Sequence, residues 1–125
     1  MRTLLTTTLF LFLLVPQLLE AKDPPPPAAS FAAFWKDFKS AVAKNDKEAV
    51  VAATDLPSLY PNKPLAKAAF LKDYESNFTK EVQKCFANAK PVRDRDSYVV
   101  FCGEEIFSFE KINGAYKFTS IGMND

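Results

Sequence analysis

Between residues 30 and 44, apolar side chains recur every three or four positions, and charged or small side chains fill the positions between them. The apolar set is Phe31, Phe34, Trp35, Phe38, Ala41 and Val42. This spacing places the set on one face of a helix, and Ser30 is a suitable N-cap residue. The pattern therefore predicts a helix from about 30 to 44, whose aromatic face either packs into the core or lines a ligand site.

Two further helices are predicted downstream. Residues 47 to 54 are mainly apolar and follow Asn45-Asp46, a pair that ends one helix and caps the next. Three prolines make residues 55 to 64 an irregular loop, and the last of them, Pro64, suits the first turn of a third helix. That helix carries the apolar stripe Leu71, Tyr74, Phe78, Val82 and Cys85. Because Ser76-Asn77 is a weak helix-forming pair, we expect the third helix to bend or split there.

The hydrophobic period changes after residue 97. Residues 98 to 102 are β-branched and aromatic, which predicts a strand. Two more apolar runs, 106 to 112 and 115 to 121, flank Asn113-Gly114. Asn-Gly between two such runs is a strong signal for a hairpin with a type I′ turn. The sequence therefore predicts three antiparallel strands.

The two-residue hairpin loop determines how the last two strands pair. The predicted pairs are Ile112 with Ala115, Lys111 with Tyr116, Glu110 with Lys117 and Phe109 with Phe118. Side chains alternate between the two faces of a sheet. One face therefore carries Phe107, Phe109, Tyr116 and Phe118 and is expected to form the floor of the core. The other face carries Ser108, Glu110, Lys117 and Thr119 and is expected to be more solvated.

The predicted order is helices first and strands last. Such an order is typical of the α+β class, with about three N-terminal helices packed on a C-terminal antiparallel sheet. Residues 30 to 125 are long enough for one domain with a modest core.

The N-terminal residues predict export. Residues 1 to 21 combine a positive start, an apolar run and a small final residue, which is typical of a secretory signal peptide. An uncleaved anchor is the alternative, but the run is shorter and more polar than a membrane span requires. Residues 22 to 29 contain four consecutive prolines, which favour a polyproline II spacer or a docking peptide for an aromatic groove. We therefore expect a periplasmic or secreted protein.

Cys85 and Cys102 are the two cysteines of the chain. In an oxidising compartment we expect one disulfide between them. It would join the last helix to the first strand and, in the chain-entropy treatment, contribute about 3 kcal/mol. A reactive thiol would need a nearby base or a C-x-x-C partner, and the sequence shows neither.

Charge and composition exclude several classes of function. The net charge is +1 and does not change on removal of residues 1 to 21. There is thus no electrostatic case for binding nucleic acid or an acidic membrane surface. The chain has no histidine and only three glycines, which removes the usual catalytic triads and phosphate-binding loops. The spacing of its possible ligands predicts no metal site, and we expect no cofactor.

Carboxylates and tyrosines are the groups that remain for catalysis. The run at residues 93 to 96 alternates in charge and is typical of a solvated loop. Glu104-Glu105 is predicted in the turn between the first two strands. A buried carboxylate with a raised pKa could still act as a base. The residues to test first for that role are Tyr74, Asp73, Tyr98 and Tyr116.

Taken together, these elements resemble the NTF2-like (cystatin-like) superfold, and more narrowly the small exported bacterial proteins of that type. The similarity lies in the Phe-rich helix at 31 to 38, the segment at 41 to 47 and the strand motif at 109 to 118. The resemblance covers residues 30 to 121 and implies an aromatic cavity between helices and sheet. Its expected lining is Phe34, Trp35, Phe38, Tyr74, Phe78, Phe107, Phe109, Tyr116 and Phe118.

Enzymes of this superfold place an Asp with a Tyr or His in the cavity, and no such motif matches positions here, so the resemblance implies no catalytic residue. Fold likeness alone does not establish function. Three hypotheses remain. The first is an exported non-catalytic module that binds a small apolar ligand or an envelope or extracellular protein. The second is a secreted inhibitor of a hydrolase that inserts residues 55 to 64. The third is a small enzyme that uses a buried carboxylate and a tyrosine.

Overall fold

The computed structural model describes residues 29 to 124, where the chain forms five helices followed by four strands. The helices are α1 (Ala29–Ala43), α2 (Lys47–Ala52), α3 (Leu56–Leu59), α4 (Ala66–Asn77) and α5 (Lys80–Asn88). The strands are β1 (Val92–Asp94), β2 (Ser97–Cys102), β3 (Glu105–Ile112) and β4 (Ala115–Met123). The predicted α+β class is confirmed. The predicted signal peptide and residues 22 to 28 of the predicted spacer lie outside the described residues.

The first two helices follow the hydrophobic pattern closely. α1 matches the predicted helix to within one residue at each end. Its buried side chains are Phe31, Trp35, Phe38 and Val42. α2 begins after Asp46, whose carboxylate accepts a hydrogen bond from the Ala49 N–H at 3.2 Å. The aromatic face of α1 is therefore mainly a core face.

The third predicted helix splits at its predicted weak point, between α4 and α5. Thr79 starts the second piece, because its Oγ1 accepts a hydrogen bond from the Val82 N–H at 3.2 Å. The expectation that Pro64 lies in the first turn of a helix is wrong. Pro64 and Leu65 form a turn, and α4 starts only after it, at Ala66.

Residues 55 to 64 are not an irregular loop throughout, because they contain α3. Pro57 occupies an early position of this short helix, where its missing N–H costs no intrahelical bond. The Ser58 hydroxyl donates to the Asp55 carboxylate, and α3 packs against β4. Proline spacing that predicts a loop is equally compatible with a single helical turn.

The sheet is antiparallel throughout, in the order β1-β2-β3-β4. The predicted hairpin register is confirmed: Ile112 lies opposite Ala115, and Phe109 lies opposite Phe118. Asn113 and Gly114 have φ values of 51° and 85°, as a type I′ turn requires.

The sheet has one more strand than predicted. Arg93 and Asp94 were expected in a loop, but they form part of β1 and pair with β2. Residues 93 to 96 are all exposed, so this edge strand carries no hydrophobic alternation that would reveal it. Glu105 likewise opens β3 and does not lie in the turn before it.

A β-bulge interrupts the pairing of β3 with β4 next to Ser108 and Phe109. Thr119, expected on the solvated face, is only 3 % exposed, and its Oγ1 donates to the Ser108 carbonyl at 3.2 Å. A bulge places an extra residue on one strand and breaks the alternation of faces. The predicted pattern therefore holds from the turn up to Phe118 and fails beyond it.

The core is a cluster of aromatic rings between the helices and the sheet. Its buried rings are Phe31, Trp35, Phe38, Phe70, Tyr74, Phe78, Phe86, Tyr98, Phe107, Phe109 and Phe118. Phe38 contacts Phe109 edge-on at 5.2 Å, and Phe86 contacts Phe107 at 4.9 Å. α1 and α5 therefore both pack on the sheet, and burial of these rings is the main stabilising contribution.

A disulfide joins the helical half to the sheet on the β2 side. Cys85 of α5 and Cys102 of β2 are bonded to each other, as predicted. Disulfides persist in oxidising compartments and are rare in the cytosol. The bond therefore indicates an oxidising, non-cytoplasmic environment.

The segment between α2 and α3 is attached to the opposite edge of the sheet. Thr54 forms a parallel bridge with Phe118 of β4. The Asp55 N–H donates to the Phe118 carbonyl at 2.9 Å, and the Phe118 N–H donates to the Ala53 carbonyl at 2.8 Å. This part of the β4 edge is therefore paired and brings α2 beside β4.

Candidate functional site

A groove of about 300 Å³ lies between α1, α2 and β4. Its lining consists of three aromatic rings, four alanines and two charged side chains. They are Phe34, Phe38, Tyr116, Ala41, Ala49, Ala52, Ala53, Asp37 and Lys117. We term it the α1–β4 groove. Its volume is at the lower end of the range found for small-molecule sites in proteins.

Aromatic rings form one wall of the groove. Phe34 and Phe38 stack with their ring centroids 5.7 Å apart. The Phe34 and Tyr116 centroids are 6.3 Å apart, with 42° between the ring planes. Phe34 and Tyr116 are only half-buried, so part of each ring remains available to a ligand. Lys111 places its Nζ 5.5 Å from the centroid of the Tyr116 ring.

Small side chains form the facing wall. Ala49 and Ala52 belong to α2 and Ala53 caps its end, whereas Ala41 lies on α1 next to Phe38. Each presents a single methyl group, so the space opposite the rings is left unfilled. The attachment of residue 54 to β4 keeps this alanine wall beside the Tyr116 ring.

Two charged groups lie at the groove, and they differ in their contacts. The Lys117 Nζ donates to the Ala52 carbonyl at 2.7 Å, which joins β4 to the end of α2. Asp37 is exposed, and it forms no hydrogen bond or ion pair with any residue from 29 to 124. The groove therefore has one engaged cation and one unengaged anion.

The nine predicted cavity residues separate into two groups. Phe34, Phe38 and Tyr116 line the α1–β4 groove. The other six lie in the core and do not line this groove: Trp35, Tyr74, Phe78, Phe107, Phe109 and Phe118. Their rings contact one another, as in the Trp35–Phe109 pair at 5.6 Å. The alanines, Asp37 and Lys117 were not predicted, because alanine and surface charge carry no distinctive signal in a sequence.

A tyrosine–carboxylate pair lies outside the groove. The Tyr60 hydroxyl donates to Oδ2 of Asp73 at 2.9 Å. Burial of the phenol, together with the hydrogen bond to Asp73, raises the pKa of Tyr60 to about 12. A neutral phenol is therefore favoured here, and the pair joins α4 to the end of α3. Asp73 itself is half-buried.

The remaining tyrosines that were singled out are core residues. Tyr98 is buried and stacks on Phe31 at 3.8 Å between centroids. Tyr74 is 1 % exposed, and its hydroxyl has no hydrogen-bond partner in the described part of the chain. Burial, and to a smaller extent the charge of Asp46, raises the pKa of Tyr74. Neither residue lines any of the three depressions described for residues 29 to 124.

Two other depressions are larger but less suited to a small ligand. One, of about 560 Å³, is lined by charged and mostly exposed groups from Asp94 to Ser97 and by Glu110 and Lys111. The other, of about 580 Å³, lies beside the segment that contains α3 and Pro64. Between residues 29 and 124 no cluster of Cys, Asp or Glu side chains could hold a metal ion.

Comparison of this chain with protein-family models, with curated proteins and with solved structures found no match. Among the described residues, no helix is both long and apolar enough to cross a membrane. The α+β fold and the chemistry of the α1–β4 groove are therefore the basis for assigning a function.

Proposed function

We propose that this protein is an exported, non-catalytic binding module that holds a small, mainly apolar ligand in the α1–β4 groove. The observation that carries the proposal is the groove itself, about 300 Å³ in volume, with half-buried Phe34 and Tyr116 rings opposite an alanine wall. Apolar walls with a small number of polar groups are the usual composition of small-molecule sites.

Export to the periplasm or the cell exterior is supported by two separate features. Residues 1 to 21 have the pattern of a secretory signal peptide, and the disulfide requires an oxidising compartment to persist. Membership of the NTF2-like superfold is part of the same proposal. Its support is the sequence resemblance, together with the order of helices first and an antiparallel sheet last.

The absence of catalysis is proposed from the placement of the carboxylates. The enzyme hypothesis depends on a buried Asp or Glu, and between residues 29 and 124 every Asp and Glu is exposed or half-buried. The most covered candidate that also contacts a tyrosine is Asp73, which lies outside the groove.

The hydrolase-inhibitor hypothesis stays a prediction. The segment from 55 to 64 contains α3, and the Tyr60–Asp73 hydrogen bond ties it to α4. Leu65, the residue directly after this segment, is 75 % exposed. This exposed apolar side chain is the observation that favours contact with another protein.

Titration with 2-phenylethanol, followed by amide chemical shifts in NMR spectra, tests the proposal. We expect the shifts to concentrate on residues that line the groove, such as Phe34, Ala49 and Tyr116. Shifts confined to other parts of the surface, or no saturable shifts, would overturn it.

An Ala→Leu pair provides a matched control. Ala49→Leu adds three carbon atoms to the wall of the groove and is expected to weaken binding by at least about tenfold, since a single methylene in an apolar pocket already changes binding by that much. Ala87→Leu makes the same change at an exposed position of α5 and should leave binding unchanged. Thermal unfolding of both variants shows whether the fold is retained.

A further inference from the structure

We infer that the ligand of the α1–β4 groove carries a positively charged amino group that pairs with Asp37. The inference rests on the proposed function and adds the chemical class of the ligand, a small aromatic or alkyl amine.

The helix geometry places Asp37 at the groove. Asp37 follows Phe34 by three residues and precedes Ala41 by four. Residues at these spacings are neighbours on the surface of a helix, and all three line the groove. The carboxylate therefore lies at the α1 rim, beside the apolar surface that a ligand would cover.

Among residues 29 to 124, no basic side chain pairs with Asp37. The helix positions three and four residues away are Ala33, Phe34, Ser40 and Ala41. The ion pairs between described residues are Lys47 with Glu75 and Lys67 with Glu48. No residue from 29 to 124 forms a hydrogen bond with the Asp37 side chain. Its negative charge is thus available to a bound cation.

The other charge at the groove is already engaged. The Lys117 Nζ donates to the Ala52 carbonyl at 2.7 Å. Ala52 is the last residue of α2, and the final carbonyls of a helix lack an intrahelical partner and carry partial negative charge. The ammonium group therefore satisfies a helix end. Lys117 keeps its positive charge, but its ammonium group is held at the end of α2. Among residues 29 to 124, Asp37 is the charged lining residue without a hydrogen bond or ion pair, which favours a ligand that donates to its carboxylate.

The spacing of the rings indicates how the apolar part of the ligand packs. A ring inserted between Phe34 and Tyr116 would need about 7 Å between their centroids, two carbon–carbon contact distances. The observed separation is 6.3 Å. A ligand ring therefore lies across the two exposed ring surfaces and against the alanine wall, with its amino group directed to the α1 rim.

Three probes of similar size test the inference: 2-phenylethylamine, 2-phenylethanol and phenylacetate, each titrated by NMR into the full chain. Because Asp37 is exposed, an ion pair there is worth little, and we expect the amine to bind roughly two- to fivefold more tightly than the alcohol. Asp37→Asn should lower the ratio of amine affinity to alcohol affinity to about one. Asp96→Asn, at an exposed position outside the groove, should retain the advantage of the amine.

Each other outcome overturns the inference in a distinct way. Equal binding of all three probes in the groove would show that charge plays no part, and the proposed function would stand. Tightest binding of phenylacetate would assign the charged contact to Lys117. If no probe perturbs the groove, the proposed function fails as well.

Discussion

At the scale of single residues, two tyrosine hydroxyls differ in their hydrogen bonding. The Tyr60 hydroxyl donates to Asp73 at 2.9 Å. The Tyr74 ring packs against Phe70 and Phe78, and its buried hydroxyl has no hydrogen-bond partner among residues 29 to 124. A buried polar group without a hydrogen bond destabilises the folded chain, whereas a buried polar group that is hydrogen-bonded stabilises it. The two hydroxyls should therefore affect stability with opposite signs.

Removal of each hydroxyl tests this contrast. We expect Tyr74→Phe to raise the free energy of unfolding by about 1 kcal/mol, because the desolvation cost disappears. Tyr60→Phe should lower it by about 1 kcal/mol, because a hydrogen bond is lost. Urea unfolding at neutral pH measures both. A loss of stability in Tyr74→Phe would show that its hydroxyl has a partner after all.

High pH provides a further test of the Tyr60 phenol. The pKa of Tyr60 is about 12 in the folded chain, above the ordinary value of 10.0. Between these values the unfolded chain releases the proton and the folded chain keeps it, so stability falls as pH rises. The stabilising effect of the neutral phenol is complete below pH 10 and is lost towards pH 12. The Tyr60→Phe variant should lose less stability over this window than the unmodified chain.

At the scale of elements, local chemistry determines what can be predicted. Asn113-Gly114 specifies its turn and hence the register of β3 with β4. The bulge beside Ser108 has no such signal. The prediction assumes that side chains alternate strictly between the two faces of a strand, and an extra residue breaks that alternation without a sequence motif of its own. β1 was not predicted because its three residues are all exposed. Its sequence therefore lacks the alternation of apolar and polar residues that indicates a strand.

The hairpin turn provides a second prediction. Gly114 has φ +85°, and a Cβ there would meet no atom within 4 Å, so Gly114→Ala would cost backbone strain alone. We expect a loss of about 1 kcal/mol in the free energy of unfolding. Thermal or urea unfolding measures it.

Gly122→Ala is the matched control for the turn. Gly122 has no positive φ, and a Cβ there would meet only the Ile106 carbonyl at 4.0 Å. Alanine restricts the unfolded chain more than glycine, so this variant should be as stable as the unmodified chain or slightly more stable. Equal losses in both variants would contradict the type I′ assignment.

At the scale of the whole molecule, the disulfide is the covalent link between the helical half and the sheet. Reduction of Cys85–Cys102 should lower the free energy of unfolding by about 3 kcal/mol, since the closed loop no longer restricts the unfolded chain. Urea unfolding with and without a thiol reductant measures the loss.

The double variant Cys85→Ala/Cys102→Ala is the control for reduction. It should resemble the reduced chain in stability and should not respond to the reductant. A reductant effect on the double variant would show that the treatment acts through something other than the disulfide.

Only part of the α1–β4 groove could be predicted from the sequence. Phe34 and Phe38 belong to a helical stripe, and Tyr116 follows from the hairpin register. The alanine wall could not be predicted, because its position depends on the bridge between Thr54 and Phe118. That bridge joins residues far apart in the chain, and no local pattern marks such a contact.

The same bridge has a consequence for the order of assembly. β4 is the last strand of the described chain, yet the α2–α3 segment hydrogen-bonds to its Phe118. Contacts between distant residues form late, because the intervening chain must first be ordered. In a chain that emerges during synthesis, the α2–α3 segment therefore gains its hydrogen bonds to the sheet only after β4 has been made.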